Sequence, residues 1–291
     1  MTIDRRLVLT GGLALTAGCS DAPSPARSSA SDAVPRRVVS LNPCLDVILI
    51  QVADRDQIAA LSHYSREAHS STIADVARGL PMTYGTAEEL VVLQPDLVMT
   101  GRFSSSTLRN ALDRMGTPTS VFDVPETVET SLAQVREVAG LVGHPERGEA
   151  LVARIEAALT AAAPRPGARV PSALVFMPGG FVSGPGTLMD EMMRRVGLEN
   201  AAGRYGLTHS MNLPLESVIA DPPDILLAGQ PYPGAPSRAE RIMQHPALSR
   251  VTGDMRRAVF PERLLFCGGP VLIQTAAALA RARDAASTRQ A

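Results

Sequence analysis

The stretch PERGEALVARIEAALTAAA, residues 145–163, decides how the chain is organised. Proline suits a first helical position, where its missing N–H would lack a partner anyway and its fixed φ is already helical. Leu151, Val152, Ile155 and Leu159 then recur at three- and four-residue intervals in an Ala-rich background, which puts an apolar stripe on one helix face. From Glu146 to Ala163 such a helix covers about 27 Å at ~1.5 Å per residue, and Pro164, Pro166 and Pro171 stop it. A helix of that length in mid-chain can lie across two lobes.

On its N-terminal side, Arg36 to Leu41 is a β-branched run broken by Asn42-Pro43, and Leu45 to Ala53 has helical apolar spacing. Ile58–Ser62, Asp96–Thr100 and Thr119–Phe122 read as further strands, Leu108–Met115 as a helix, and Thr127–Leu141 as a first spacer helix. Strands separated by helices pair in parallel through crossovers. The alternation restarts with a strand at Ala173–Met177, a Gly-rich loop and a helix at Thr187–Val196. Strands at Ile225–Ala228 and Arg263–Phe266 and a closing helix at Val271–Ala282 follow. The sequence therefore predicts an α/β protein of two lobes, residues 36–126 and 170–291, each built on a central parallel sheet. A helical spacer at 127–169, with one long helix, joins them. An internal echo supports the partition: Glu88 precedes Pro95-Asp96-Leu97-Val98 by seven positions, as Glu216 precedes Pro223-Asp224-Ile225-Leu226. A helix that ends before Pro, then an Asp turn into a buried strand, explains Pro-Asp, but does not require an acid at the helix start.

Composition narrows the function. Apolar residues make up 45% and charged residues 20%, which is globular, and the net charge of −1 offers no basic field for nucleic acid. With no Trp, four Tyr and six Phe, the chain has little aromatic surface for stacking bases or sugars. Arg5 and Arg6 precede an apolar run from Leu7 to Ala17, so residues 1–18 read as a signal peptide of the general secretory or twin-arginine type. Leu15-Thr16-Ala17-Gly18-Cys19 resembles a lipoprotein box, in which Cys19 is acylated, although the pattern prefers Leu where Thr16 stands. Residues 19–35, mostly Ser, Ala, Pro and Asp, then form a flexible tether to the membrane. The remaining thiols, Cys44 and Cys267, could pair in an oxidising compartment, ligate a metal, or sit as small buried hydrophobes.

Several motifs in order carry a resemblance from about Arg36 to the C-terminus. They are Arg37-Val38-Val39-Ser40-Leu41-Asn42-Pro43, the Glu88 and Glu216 echoes, Gly186-Thr187-Leu188-Met189-Asp190 through Gly197-Leu198-Glu199-Asn200, Leu215-Glu216-Ser217-Val218, and Gly269-Pro270. Together they resemble the periplasmic binding proteins that serve iron-siderophore, haem and cobalamin ABC importers, whose lobes are joined by one long rigid helix, which implies a ligand cleft between the lobes. The resemblance implies a lipid-anchored, non-enzymatic, monomeric periplasmic protein that captures a metal chelate and holds no intrinsic cofactor. It would deliver that chelate to a permease and its ATPase in the inner membrane, with Glu88 and Glu216 docking on permease arginines.

Loops beyond the carboxyl ends of parallel strands are where such sheets bind ligands. Asn42, Cys44, His63, Tyr64, Arg66, Arg102 and Phe103 fall in these loops in the first lobe, and Phe181, His209, Tyr232 and Cys267 in the second. His63-Tyr64 and His209 beside Met211 offer imidazole, phenol and thioether donors, and the arginines could pair with ligand carboxylates. A zinc or manganese importer component is the alternative, weakened by five scattered histidines. A hydrolase would need Cys44 with His63 or Ser183 with His209, neither in a recognisable nucleophile motif.

Overall fold

The computed structural model describes residues 33–229 and 255–287; the signal peptide, Cys19, most of the tether and Tyr232 lie outside them. The first lobe is β1 (Val38–Ser40), α1 (Pro43–Val52), β2 (Ile58–Ser62), α2 (Ala74–Ala77), β3 (Met82–Thr83), α3 (Ala87–Leu93), β4 (Leu97–Gly101), α4 (Ser106–Met115) and β5 (Thr119–Phe122). Its five strands are all parallel in the order β3-β2-β1-β4-β5. Two helices follow, α5 (Val128–Leu141) and α6 (Pro145–Ala162). The second lobe has β6 (Ser172–Phe176), β7 (Phe181–Val182), α7 (Leu188–Arg195), β8 (Glu199–Asn200), β9 (Met211–Asn212), α8 (Leu215–Ala220), β10 (Ile225–Ala228), β11 (Arg256–Val259) and α9 (Val271–Ser287).

In the second sheet, β11-β10-β6 run parallel and β8 also pairs parallel with β6. The wholly parallel expectation fails at one edge, where β7 turns back on β6 and β9 pairs antiparallel with β7. Gly179 and Gly180, both at positive φ, make that reversal. The strand expected at Arg263–Phe266 is instead a 3₁₀ turn, Glu262–Leu264, and the last strand lies earlier at Arg256–Val259. Paired on one side among the described residues, β11 carries Arg256 and Arg257, charges that hide a short edge strand from a search for apolar runs.

The Pro-Asp echo has a specific meaning. Asp96, entering β4, accepts hydrogen bonds from the backbone amides of Arg36 and Arg37 (2.7 and 2.8 Å), just before β1. Asp224, entering β10, accepts from the amide and hydroxyl of Ser172 at the start of β6. In each lobe one carboxylate clamps the start of a neighbouring central strand.

The central strands of both sheets are buried on two faces, and strict alternation sorts their side chains. Val38, Leu97, Met99, Ala173, Val175, Ile225 and Leu227 share one hydrophobic cluster with Val135, Val138 and Ile155 of the spacer and Leu279 of α9. Val39 and Val98 face a separate cluster in the first lobe, and Leu174, Phe176 and Leu226 another in the second. A continuous core thus runs from one sheet through the spacer into the other. Helix α6 packs against α5, against α1 of the first lobe and against α9 of the second. It crosses α5 so closely that a Cβ on Gly148 would come within 2.6 Å of the Ala139 methyl. Among the described residues no helix is long and apolar enough to cross a membrane.

Candidate functional site

All strands of the first sheet point their carboxyl ends to one edge, and the chain order reverses between β1 and β4. Asn42 follows β1 there; its side chain caps α1 by accepting from the Cys44 amide at 2.8 Å. Gly101 ends β4 against the Asn42 amide group. Beyond β2 the chain forms a 3₁₀ turn, His63–Arg66, in which Tyr64 is exposed and His63 half-buried. The His63 ring lies 3.9 Å from the Tyr64 ring and 4.6 Å from the Tyr84 ring. Tyr64 is 50% and Tyr84 63% exposed, so two phenols and one imidazole form a solvent-facing aromatic cluster. Sequence reasoning missed Tyr84, because it follows a two-residue strand that no apolar run announces.

The Arg66 guanidinium donates to the carbonyls of Ala77 and Leu80 and fastens the turn to them. Arg102 pairs with Asp123 at 2.8 Å and lies 5.8 Å from the ring centre of Phe103, which at 82% exposure is the most exposed large apolar side chain described. In the second lobe Phe181 is partly exposed on β7, and Met211 lies opposite the neighbouring Val182 on β9. His209 shares a hydrogen bond with Thr208 at 3.1 Å.

Cys44 and Cys267 form a disulfide with Cα atoms 5.0 Å apart, which joins the cap of α1 to the loop before α9. The thiolate-ligand possibility is thereby overturned, as is the Cys44 nucleophile that one hydrolase reading required. The bridge also shows that carboxyl-edge loops of the two lobes meet. Beside it the Gly269 amide donates to the buried Ser131 hydroxyl at 2.7 Å, and a Cβ on Gly268 would fall 2.3 Å from that oxygen. One turn away on α5, the Val128 amide donates to Glu191 of α7 (2.8 Å). Buried Arg283 of α9 donates to Ala162 O at the end of α6 and to Val196 O behind α7. Among the described residues no three His, Cys, Asp or Glu side chains are grouped to hold a bare metal ion.

Glu88 and Glu216 each occupy the second position of a helix, α3 and α8, and both are exposed. In α3 the capping box is made by Thr86 and Glu89. Among the described residues, Glu88 and Glu216 have no hydrogen-bond or ion-pair partner.

Residues 38–253 match the profile of a family described as periplasmic binding protein. Over 202 residues the chain is 24% identical to the cobalamin-binding protein of Halobacterium salinarum, covering 68% of this chain and 55% of that one. It therefore spans about half the length of the curated relatives it matches. It is similar to the solved structure of the periplasmic heme-binding protein RhuT from Roseiflexus sp. RS-1 in apo form, with a TM-score of 0.69, 24% identity, and coverage of 86% of this chain and 99% of that one. The periplasmic vitamin B12 binding protein BtuF of Vibrio cholerae gives a TM-score of 0.65 at 15% identity over 87% and 98% of the two chains. Likenesses at these identities speak for the fold alone.

Proposed function

The chain belongs to the periplasmic binding protein family, and from that premise we propose that it is the substrate-binding component of an ABC importer for a metal chelate, foremost a planar metallo-tetrapyrrole such as haem or a corrinoid. One observation carries the choice of ligand: the His63 ring in contact with the exposed Tyr64 and Tyr84 rings at the carboxyl edge of the first sheet. A macrocycle presents a broad apolar face with a metal at its centre, and imidazole nitrogen and phenol oxygen are donors that suit iron. Phe103 on the same edge and Phe181 and Met211 in the second lobe supply apolar walls. The chain would work in the periplasm, held by an acyl group on Cys19 and a tether, and hand its cargo to a permease that reads Glu88 and Glu216. The Cys44–Cys267 disulfide suits that oxidising compartment.

Titration with haemin, cobalamin and a ferric siderophore tests the ligand class. The chain has no Trp, so its intrinsic emission comes from four Tyr, two of them in the cluster. Haemin or cobalamin should quench that emission saturably and acquire a shifted visible band. Silence toward both, alongside binding of the siderophore or of bare zinc, would overturn the tetrapyrrole reading.

A further inference from the structure

Asp46 lies one turn inside α1 and is fully buried, yet it is a carboxyl group. Its Oδ2 accepts from the Ser62 amide at 3.0 Å and from the Ser65 hydroxyl at 2.5 Å. Ser62 ends β2, and buried Ser65 lies inside the 3₁₀ turn. One oxygen thus grips the chain on both sides of His63-Tyr64, while Arg66 fastens the far end to Ala77 and Leu80. Oδ1 is buried with no hydrogen-bond partner. An apolar side chain would fill this place without the cost of burying a carboxyl group, but it could not accept two hydrogen bonds from the turn.

We propose that Asp46 is a positioning residue for ligand capture: by tying Ser62 to Ser65 it aims His63 and Tyr64 outward, against Tyr84, in the arrangement that meets the ligand. The role in capture rests on the tetrapyrrole reading above; the role in shaping the turn does not. Pre-set donors bind more tightly because the turn does not have to be ordered when the ligand arrives.

The test compares wild-type protein with Asp46→Leu and Ser65→Ala, following hydrogen exchange of the residue 62–66 amides without ligand, and then haemin binding. In Asp46→Leu the turn should exchange roughly tenfold faster and haemin should bind about tenfold more weakly. The visible band of bound haemin, which reports the donor atom on iron, should also move. Leu90→Ala, a cavity in the core cluster of Val39 and Val98, serves as the control: it should lower stability and leave the band in place. Unchanged exchange and an unchanged band in both turn variants would overturn the proposal. Should Asp46→Leu fail to fold, Ser65→Ala decides by the same criteria. If wild-type protein binds neither haemin nor cobalamin, the ligand reading falls, and exchange of residues 62–66 alone decides whether Asp46 positions the turn.

Discussion

Asp46 also makes a statement about stability. Burial raises its pKa from the ordinary 3.8 to about 7, against the lowering effect of the nearby Ser40 and Ser65 hydroxyls and the Ser62 amide. Only these uncharged groups contribute to the shift besides burial; on the neighbouring turn, His63 is engaged with tyrosine rings and Arg66 with carbonyls. In the unfolded chain the carboxyl loses its proton near 3.8, whereas the folded protein keeps it until about 7. The stability this group contributes is therefore fully present below the lower value and drains away as pH rises to the upper one, at roughly 1.4 kcal/mol per pH unit. Urea unfolding of wild type and Asp46→Asn at several pH values between 4 and 8 should show the wild-type advantage shrinking across that window and then levelling off; parallel curves would mean that the carboxyl titrates normally. None of this was legible in Leu45-Asp46-Val47, where Asp reads as an ordinary first-turn acid. His63 and Tyr64 could be named from their donor chemistry, but Tyr84 joins them only through the pairing of β3 with β2. The hold of Arg66 on the carbonyls of Ala77 and Leu80 was not legible, because those partners lie 11 and 14 residues away.

At the scale of elements, the two halves repeat a unit whose parts serve different ends. The Pro-Asp portion is structural: Asp96 and Asp224 clamp the starts of β1 and β6. For Asp224, burial pushes the carboxyl up, but hydrogen bonds from Ser172 and the Arg169 guanidinium outweigh it and hold the group below the usual range. The glutamates that open α3 and α8 lack such an explanation, since Glu89 rather than Glu88 completes the capping box. Replacing both glutamates by alanine should cost at most about 1 kcal/mol each through the helix dipole. Haemin affinity should stay as in wild type while uptake into cells is lost; normal uptake by Glu88→Ala with Glu216→Ala would remove the docking role. Most elements were legible because their cores are contiguous: Ile58–Ser62, Thr119–Phe122 and Ile225–Ala228 are the strands expected from apolar and β-branched runs. Strand β11 was not, since its exposed face carries charge and its identity comes from pairing with β10.

For the whole molecule the question is what holds two sheets at a fixed separation. Three devices act together: the core that runs unbroken through α5 and α6, the polar stitches at Ser131, Glu191 and Arg283, and the Cys44–Cys267 bridge. They differ in kind. The core and the stitches stabilise the folded arrangement, whereas the disulfide, spanning 223 residues, acts chiefly by restricting the unfolded chain, which in the loop-entropy account is worth ~5 kcal/mol. Reduction, or Cys44→Ser with Cys267→Ser, should therefore lower the melting temperature by roughly 10 °C without changing the radius of gyration of the folded protein by small-angle scattering. An unchanged melting temperature, or alkylation of Cys44 or Cys267 before any reductant is added, would show that the bridge does not form. An expanded folded state after reduction would show instead that the covalent link, and not the shared core, sets the spacing of the lobes. That outcome bears on capture directly, because a cleft whose width is built into a continuous core meets its ligand already shaped, while one held by a single bond would have to be closed each time.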